Sequence, residues 1–298
     1  MPVIISRGLL YMAASALGFS VMSVLVKLAS ETLPTGDIVL ARAVVTLAAS
    51  YAMVARAGLA PWGNRRPALV LRGLIGFGGL TCYYGALAHL PLADATTIQN
   101  TMPLITALLA WWILRERVGW STAGALACGI AGVLMIVHPS GSDLDPTGLA
   151  LALGAATCSA CAYVAVRQLA RSEHTLVIVL YFPLVATPLA IPWAIVDWVT
   201  PTPREWLLLV AIGLATQVGQ VFLTMGLALE RAGRATSIGY FQVIFAMIWQ
   251  TVLWGSAPTA WSLAGAGLIV AGTVAVARSS SAAGAPPSLL PTSTPPPG

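Results

Sequence analysis

Ten long apolar stretches follow one another along the chain, separated by short segments that contain proline, glycine and charged residues. They run over 8–29, 36–55, 68–88, 92–114, 118–137, 147–169, 175–197, 205–229, 234–255 and 259–277. A helix needs about 20 apolar residues to cross about 30 Å of hydrocarbon, and each stretch has about that length. The stretches lack the sustained alternation of apolar and polar residues that is typical of a β-barrel. The pattern therefore predicts an all-α integral membrane protein with ten transmembrane helices.

The composition agrees with this prediction and excludes several classes of protein. Of the 298 residues, 58% are hydrophobic and 8% are charged, whereas an ordinary soluble domain has about 45–50% and about 25%. So few charges cannot solvate the surface of a soluble enzyme or bind a nucleic acid. We therefore expect membrane lipid, and not nucleic acid, around the chain. The last segment, 279–298, is rich in serine and proline and is predicted to be a disordered cytoplasmic tail.

Positive charges are distributed unevenly between the segments that join the helices. If the N-terminus is cytoplasmic, twelve of the 15 Lys and Arg residues, Arg72 among them, fall on the cytoplasmic side. Lys27 and Arg204 lie on the other side, and Arg42 lies within the second helix. Cytoplasmic loops of membrane proteins carry an excess of Lys and Arg. We therefore expect a multi-pass protein of the plasma (inner) membrane with both termini in the cytoplasm.

The two halves of the chain resemble each other at an offset of 140 residues. Segment 95-ATTI-98 aligns with 235-ATSI-238, and 120-WSTAGA-125 aligns with 261-WSLAGA-266 after a slip of one residue. Each half contains five predicted helices, so the second half enters the membrane from the opposite side. The sequence therefore predicts two inverted five-helix repeats, 1–138 and 139–278. In transporters of this architecture the substrate lies near the midplane between the repeats.

Features of the fourth and fifth helices resemble a known family of transporters. These features are Pro103 followed by 104-LITALLA-110, the Arg-Glu-Arg sequence at 115–117, and Gly124 and Gly132. They are similar to the drug/metabolite transporter superfamily, in its ten-helix EamA branch. The resemblance extends over 8–277, although the second repeat has Val243 and Ser256 in place of Pro103 and Glu116. Within this branch the chain looks most like bacterial exporters of amino acids, including aromatic ones.

Polar side chains deep inside apolar helices are energetically expensive, so they are candidate substrate ligands. On the eighth helix Gln217, Gln220 and Thr224 share one face, and they either line a cavity or bond neighbouring helices. The predicted substrate-binding residues combine amides with aromatic rings: Tyr84, Gln99, Tyr163, Gln217, Gln220, Gln242 and Trp249. Pro103 lies within the fourth helix, where its missing N–H predicts a kink and a candidate gating role.

The sequence offers two roles for Arg42, and its histidines and cysteines form no catalytic or metal-binding motif. Arg42 either attracts a substrate carboxylate or pairs with Asp37 or Asp94. The three histidines form no H-E-x-x-H motif, and the C-x-x-C of Cys158 and Cys161 has no second pair. No carboxylate lies near the middle of a predicted span. We therefore predict no catalytic residues, no metal and no cofactor.

These observations, with the family resemblance, lead to a functional hypothesis. The chain is expected to be a transporter, monomeric or weakly dimeric, and not an enzyme. It is expected to export small metabolites by alternating access, most of all amino acids, because a zwitterion suits a neutral and partly aromatic cavity. Three alternatives stay open: an efflux carrier of drugs or other metabolites, a passive channel, and a membrane scaffold.

The predicted orientation can be tested by labelling with an impermeant thiol reagent. Single cysteines in place of Gly63 and Gly141, in a background that lacks the native Cys residues, are expected to react from opposite faces of the membrane. Gly63 should be cytoplasmic and Gly141 external, because the first lies beside basic residues and the second beside acidic ones. Reaction of both positions from one face would contradict the count of ten spans.

Overall fold

The computed structural model describes residues 6–90, 92–137, 145–255 and 259–282, and this part of the chain contains no strand. It consists of twelve α-helices, one 3₁₀ turn (Ile238–Tyr240) and short connections. The α-helices are α1 (Arg7–Ala29), α2 (Thr35–Arg56), α3 (Arg66–His89), α4 (Leu92–Gln99), α5 (Met102–Ile113), α6 (Trp120–Val137), α7 (Pro146–Leu169), α8 (Thr175–Val196), α9 (Pro203–Leu229), α10 (Ala232–Ser237), α11 (Phe241–Trp254) and α12 (Ala260–Ala282). The predicted all-helical fold is confirmed.

Seven helical stretches in the described part of the chain are long and apolar enough to cross a membrane. They are α1, α2, α6, α7, α8, α9 and the stretch Ala232–Leu253, which joins α10 to most of α11. The apolar part of α12, Ala260–Ala275, is shorter. α12 continues to Ala282, so the predicted tail begins as helix, and 283–298 lies outside the described residues. The predicted boundary between the repeats also lies outside them.

Polar side chains cap the starts of several helices close to the predicted ends of the spans. Thr202 and Glu205 form a reciprocal capping box at the start of α9, in which each side chain accepts a backbone N–H from the other residue. Asp145 accepts the N–H of Gly148 at the start of α7 at 3.2 Å. These caps replace the hydrogen bonds that the first turn of a helix cannot make for itself.

Two of the ten predicted spans are divided into two helices each. The fourth is divided into α4 and α5 at Asn100 and Thr101, and the ninth into α10 and α11 by the 3₁₀ turn. The breaks are equivalent, because Gln99 aligns with Gly239 at the offset of 140 residues. At the first break, Asn100 Nδ2 donates to the carbonyl of Thr96 at 2.8 Å and Thr101 Oγ1 to that of Ile98 at 2.7 Å. The backbone N–H groups of Asn100 and Thr101 donate to the same two carbonyls, so the side chains add a second hydrogen bond to each and reinforce the last turn of α4.

Pro103 has a different local role from the one predicted. It lies in the first turn of α5, where a residue has no intrahelical acceptor for its N–H and proline is well tolerated. Pro103 therefore begins a new helix after the break and does not kink a continuous one. Its role in gating stays a prediction.

Contacts between helices occur in pairs that relate the two halves of the chain. α1 packs on α9 as α3 packs on α7, α5 packs on α7 as α11 packs on α1, and α2 packs on α9 as α8 packs on α3. Exchange of the two halves turns the contact of α2 with α8 into itself, and the same holds for the contact of α6 with α12. An axis in the membrane plane that exchanges the two halves produces this pattern. The predicted inverted repeats are therefore the basis of the packing.

The contact of α5 with α10 departs most from this pairing. α5 packs on α10, and both are the halves of the broken spans that lie nearer the predicted cytoplasmic face. Gly233 permits the approach, since a Cβ on it would lie 2.9 Å from the Cβ of Ala107. Within the described ranges, the counterpart halves α4 and α11 make no comparable contact. The bundle is therefore tighter at the predicted cytoplasmic end of the broken spans.

The structure refines the positions for the labelling experiment. Gly63 has a φ of +58°, and a Cβ on it would lie 2.8 Å from the carboxylate of Glu173. Gly141 lies outside the described residues. Ala60, between α2 and α3, and Glu31, between α1 and α2, are exposed. These two positions give better reporters for the same two predicted faces.

Glycines bring α6 and α12 together at close range, and this contact predicts the effect of a substitution. A Cβ on Gly132 would lie 2.5 Å from the carbonyl oxygen of Gly265, so Gly132→Leu must push the helices apart. Overpacking of this kind lowers stability by about 1–3 kcal/mol. We expect a lower melting temperature for the purified variant in detergent.

Gly124 provides a matched control on the same helix. A Cβ on Gly124 would meet nothing within 4 Å, so Gly124→Leu should keep the melting temperature of the wild type. Equal melting temperatures for the Gly132 and Gly124 variants would contradict the importance of the crossing.

Candidate functional site

One face of α7 connects two of the predicted substrate-binding residues, Gln99 and Tyr163. Ser159 and Tyr163 lie one turn apart on α7, and both are half-buried. Gln99, the last residue of α4, donates Nε2–H to Ser159 Oγ at 3.2 Å. The Oε1 atom of Gln99 is buried and has no hydrogen-bond partner in the described part of the chain. The first break therefore presents an unused acceptor in the interior of the bundle.

Arg72 joins this group, although the sequence placed it on the cytoplasmic side. It is only 3% exposed, and its Nη2–H donates to Gln220 Oε1 at 3.5 Å. Its guanidinium carbon lies 5.1 Å from the centre of the Phe182 ring, and Tyr163 is close enough to interact with it electrostatically. Arg72 lies in the half of α3 nearer the predicted cytoplasmic face, but its side chain points into the bundle, which was not expected from the sequence.

The partners of Arg72 are all formally neutral. Its Nε and Nη1 atoms are buried without hydrogen-bond partners among the described residues, and Arg72 takes part in none of the ion pairs found there. A glycine brings the ring beneath it, since a Cβ on Gly76 would lie 3.1 Å from Phe182. The result is a buried cation whose hydrogen-bonding capacity is largely unused.

A signal for Arg72 was present in the sequence. Arg72 follows Arg66, the first residue of α3, by six positions, which corresponds to about 9 Å along a helix. Arg42 lies at a similar distance from the start of α2, which is at the opposite predicted face of the membrane. Arg42 was predicted to lie within its span, and Arg72 was not. Depth alone does not tell whether a long side chain reaches back to the surface or turns inward.

Arg42 lies in the half of the bundle nearer the predicted external face. Its Nη1 lies 3.9 Å from Met22 Sδ, and Tyr84 interacts with it electrostatically. The Tyr84 ring meets Trp193 edge to face, with the ring centres 5.6 Å apart. Tyr84 is thus separated along α3 from the group around Arg72 and belongs to a second arginine–aromatic cluster.

Of the two pairings considered for Arg42, the one with Asp37 does not form. Asp37 Oδ2 instead accepts the backbone N–H of Val199 at 3.0 Å, which ties the start of α2 to the segment after α8. The side chain of Asp94 lies outside the described residues.

Gln217 faces a different helix from Gln220. Gln217 Oε1 accepts a hydrogen bond from Ser50 Oγ at 3.0 Å, and its Nε2 lies 3.4 Å from Met53 Sδ. Both partners are on α2, and Gln217 is only 6% exposed. These contacts favour the interpretation that Gln217 bonds neighbouring helices over the one that it lines a cavity.

The two remaining predicted residues lie on α11. Trp249 donates its indole N–H to Ser20 Oγ on α1 at 3.1 Å. Gln242 is half-buried in the first turn of α11, directly after the second break. The structure thus brings Gln220 to Arg72 and places Gln99 against Ser159, one turn of α7 from Tyr163. Tyr84, Gln217 and Trp249 have other partners.

An ionic network joins helix ends at the predicted cytoplasmic side. Arg167 Nε pairs with Glu116 Oε1 at 3.0 Å, and Arg167 Nη1 donates to the carbonyls of Leu227 and Ala228 at 3.1 and 2.6 Å. Glu116 Oε2 accepts the N–H of Ala232 at the start of α10, at 2.8 Å. This network, the Glu116–Arg167 lock, connects the segment after α5 to α7, α9 and α10.

A second contact reinforces the same side. Glu230 accepts a hydrogen bond from Ser6 Oγ and pairs with Arg234 at 3.3 Å. Ser6 precedes α1, whereas Glu230 and Arg234 flank the start of α10, so the contact closes α1 against the ninth span.

Comparison with known proteins identifies the family. The model of the EamA-like transporter family matches residues 6–138 and 146–278, once in each half of the chain. The chain belongs to the EamA-like transporter family. The predicted superfamily is therefore confirmed, and this EamA-like protein is a multi-pass membrane transporter and not an enzyme.

Individual relatives of this EamA-like transporter carry names of metabolite transporters. The pseudopaline exporter CntI of Pseudomonas aeruginosa is 37% identical over 276 residues, which cover 92% of this chain and 97% of the exporter. Solute carrier family 35 member G1 of Mus musculus is 30% identical over 89% of this chain and 77% of the carrier. The S-adenosylmethionine uptake transporter of Rickettsia prowazekii is 27% identical over 69% of each chain.

The fold of this EamA-like transporter also matches a solved crystal structure. The TM-score is 0.77 at 22% sequence identity, over 88% of this chain and 95% of the other. This match shows a shared fold. The narrower expectation of amino-acid export stays a prediction.

Proposed function

We propose that this EamA-like transporter exports small metabolites, most of all amino acids including aromatic ones, by alternating access. The observation that carries the proposal is the pair of equivalent breaks at Asn100–Thr101 and Ile238–Tyr240. The first is a turn between α4 and α5, and the second is a 3₁₀ turn inside a continuous helical stretch. A stretch of 3₁₀ in the middle of a helix often marks a functional hinge. Paired breaks between inverted repeats are a feature of substrate sites in transporters.

The side chains beside the first break support a small polar substrate with an apolar part. Gln99 offers an amide, Tyr163 offers an aromatic ring and a hydroxyl, and Gln220 offers a second amide. Such a mixture suits a molecule that exchanges its water for a few directed hydrogen bonds and one apolar surface. The names of the relatives, which include an exporter and an uptake transporter of metabolites, support transport of this general class.

We also propose an orientation of the protein in the membrane and a gate at its cytoplasmic end. Both termini are cytoplasmic, the protein lies in the inner membrane, and the state described here is closed toward the cytoplasm. The close contact of α5 with α10, and the Glu116–Arg167 lock around it, support this assignment. The residue that aligns with Glu116 in the second repeat is Ser256, so the external end lacks an equivalent acid.

Counterflow tests the transport function. Proteoliposomes that are preloaded with unlabelled L-phenylalanine are expected to take up labelled L-phenylalanine faster than empty ones, because a carrier returns faster when loaded. Liposomes without protein are the control, and the assay is repeated with each of the twenty amino acids. Equal uptake by loaded and empty vesicles would indicate a channel, and a flat response to all twenty would reject amino acids as substrates.

Glu116→Gln tests the gate. The substitution removes the charge partner of Arg167 and weakens the cap on α10, a loss of about 1–3 kcal/mol, which shifts an equilibrium by about 5–150-fold. Ala235 on α10 is fully buried, so a single Ala235→Cys reporter should react slowly with an impermeant thiol reagent. We expect faster reaction in the Glu116→Gln protein.

The control for the gate is Glu31→Gln, which removes an exposed acid from the opposite end of the bundle. It should leave the reaction rate of the Ala235→Cys reporter unchanged. An unchanged rate in the Glu116→Gln protein as well would contradict the gating role of the lock.

A further inference from the structure

Two unused polar groups of opposite character lie beside the same face of α7. Gln99 Oε1 is an acceptor and the Nε–H and Nη1–H groups of Arg72 are donors, and all three atoms are buried without partners among the residues described. Gln99 bonds Ser159, and Arg72 interacts electrostatically with Tyr163. Ser159 and Tyr163 are separated by one turn of α7, a rise of about 6 Å.

The unused N–H donors of Arg72 are energetically more costly than the unused acceptor of Gln99. Arginine stays protonated in proteins, and a buried charge without an opposite partner is strongly unfavourable. The Gln220 amide and the Phe182 ring compensate it only in part, since both are neutral and the hydrogen bond is long, at 3.5 Å.

The buried acids at the same end of the bundle have other partners. Glu116 pairs with Arg167, and Glu230 pairs with Arg234. Glu173 Oε1 accepts the backbone N–H groups of Asn64 and Arg65 at 2.8 and 2.5 Å. The part of the chain that the structure describes therefore supplies no carboxylate to Arg72, and an anionic ligand would complete the site.

We propose that Arg72 and Gln99 form a site for the zwitterionic part of the substrate. The unpaired N–H groups of Arg72 bind a carboxylate, and Gln99 Oε1 accepts hydrogen bonds from an ammonium group. Tyr163 and Phe182 lie beside the carboxylate end and contact the apolar part. A zwitterion carries both complementary groups, so one molecule can use the free acceptor of Gln99 and the free donors of Arg72. The assignment rests on the proposed function and narrows its substrates to molecules that keep both groups.

Pairs of ligands that differ only at the carboxylate test the assignment. The melting temperature of the purified full-length protein in detergent is measured against the concentration of L-phenylalanine and of L-phenylalaninamide, and then of L-histidine, L-methionine and their amides. Loss of a hydrogen bond to a charged group weakens binding by about 10- to 150-fold. We therefore expect the wild type to need about 10- to 150-fold more of an amide than of its acid for equal stabilisation.

Variants at Arg72 locate the effect. Arg72→Gln should bind each acid and its amide alike, because the positive charge is gone. Arg66→Gln is the matched control, since Arg66 is exposed in the first turn of the same helix, and it should keep the preference for the acid. If Arg72→Gln does not fold, Arg72→Lys retains the charge and should retain the preference.

Gln99→Leu tests the ammonium end in the same assay. 3-Phenylpropionate is phenylalanine with a hydrogen in place of its ammonium group. The wild type should prefer phenylalanine to 3-phenylpropionate, and Gln99→Leu should lose that preference while it still prefers the acid to the amide. A Gln99→Leu protein that prefers phenylalanine as strongly as the wild type would overturn the role of Gln99.

Several outcomes would overturn the site as a whole. These are no stabilisation of the wild type by any acid, equal stabilisation by acids and amides, and an unchanged preference in Arg72→Gln. Loss of the preference in a folded Arg72→Lys protein would do the same.

Counterflow separates this assignment from the proposed function. If no amino acid exchanges but an Arg72-dependent preference for acids persists, export of amino acids fails and the site stands. If amino acids exchange and their amides bind equally well, transport stands and the site fails.

Discussion

Inside the hydrocarbon layer each backbone N–H and C=O group needs a partner from the protein, because water is not there to supply one. Most of this chain meets the requirement with continuous helices. In the described part of the chain the regular pattern changes at the two breaks: Asn100 and Thr101 add side-chain hydrogen bonds to carbonyls of α4, and Ile238–Tyr240 tightens to a 3₁₀ turn. An interrupted helix is energetically costly in a membrane. Its repetition at the equivalent position of the second half supports the proposal that the substrate binds near these two breaks.

The breaks depend on close packing around them. Helices in lipid gain little from apolar contact as such, so small residues that let backbones approach provide much of the attraction. Gly132 and Gly265 bring α6 against α12, and Gly233 brings α10 against α5. On α3, Gly76 admits the ring of Phe182 beneath Arg72. The same small residues that hold the bundle together therefore also shape the surroundings of the candidate site.

The ten spans were predictable because hydropathy depends on composition alone, and their ends lie within a few residues of the helix ends. The breaks were not predicted, since 92–114 and 234–255 are continuous apolar runs. Their signals were the ATTI segment, which ends two residues before Asn100, and the ATSI segment, which ends inside the 3₁₀ turn. Pro103 follows the first break, and Gly239 lies within the second. In the sequence these segments indicate the internal repeat, and by themselves they do not indicate a break in the helix.

The candidate site was predicted less completely than the fold. Gln217 and Gln220 lie on the same side of a helical wheel, but the directions of their side chains differ by about 60° around the helix axis. That difference turns Gln217 toward α2 and Gln220 toward Arg72 on α3. Arg72 was missed because the sequence gives its depth and not its direction. A buried Arg72 on the proposed pathway also repels sodium ions and protons, which a negative cell interior attracts with about 2.3 kcal/mol per charge for each 100 mV. The charge that receives a carboxylate thus also keeps the carrier from dissipating the ion gradients of the cell.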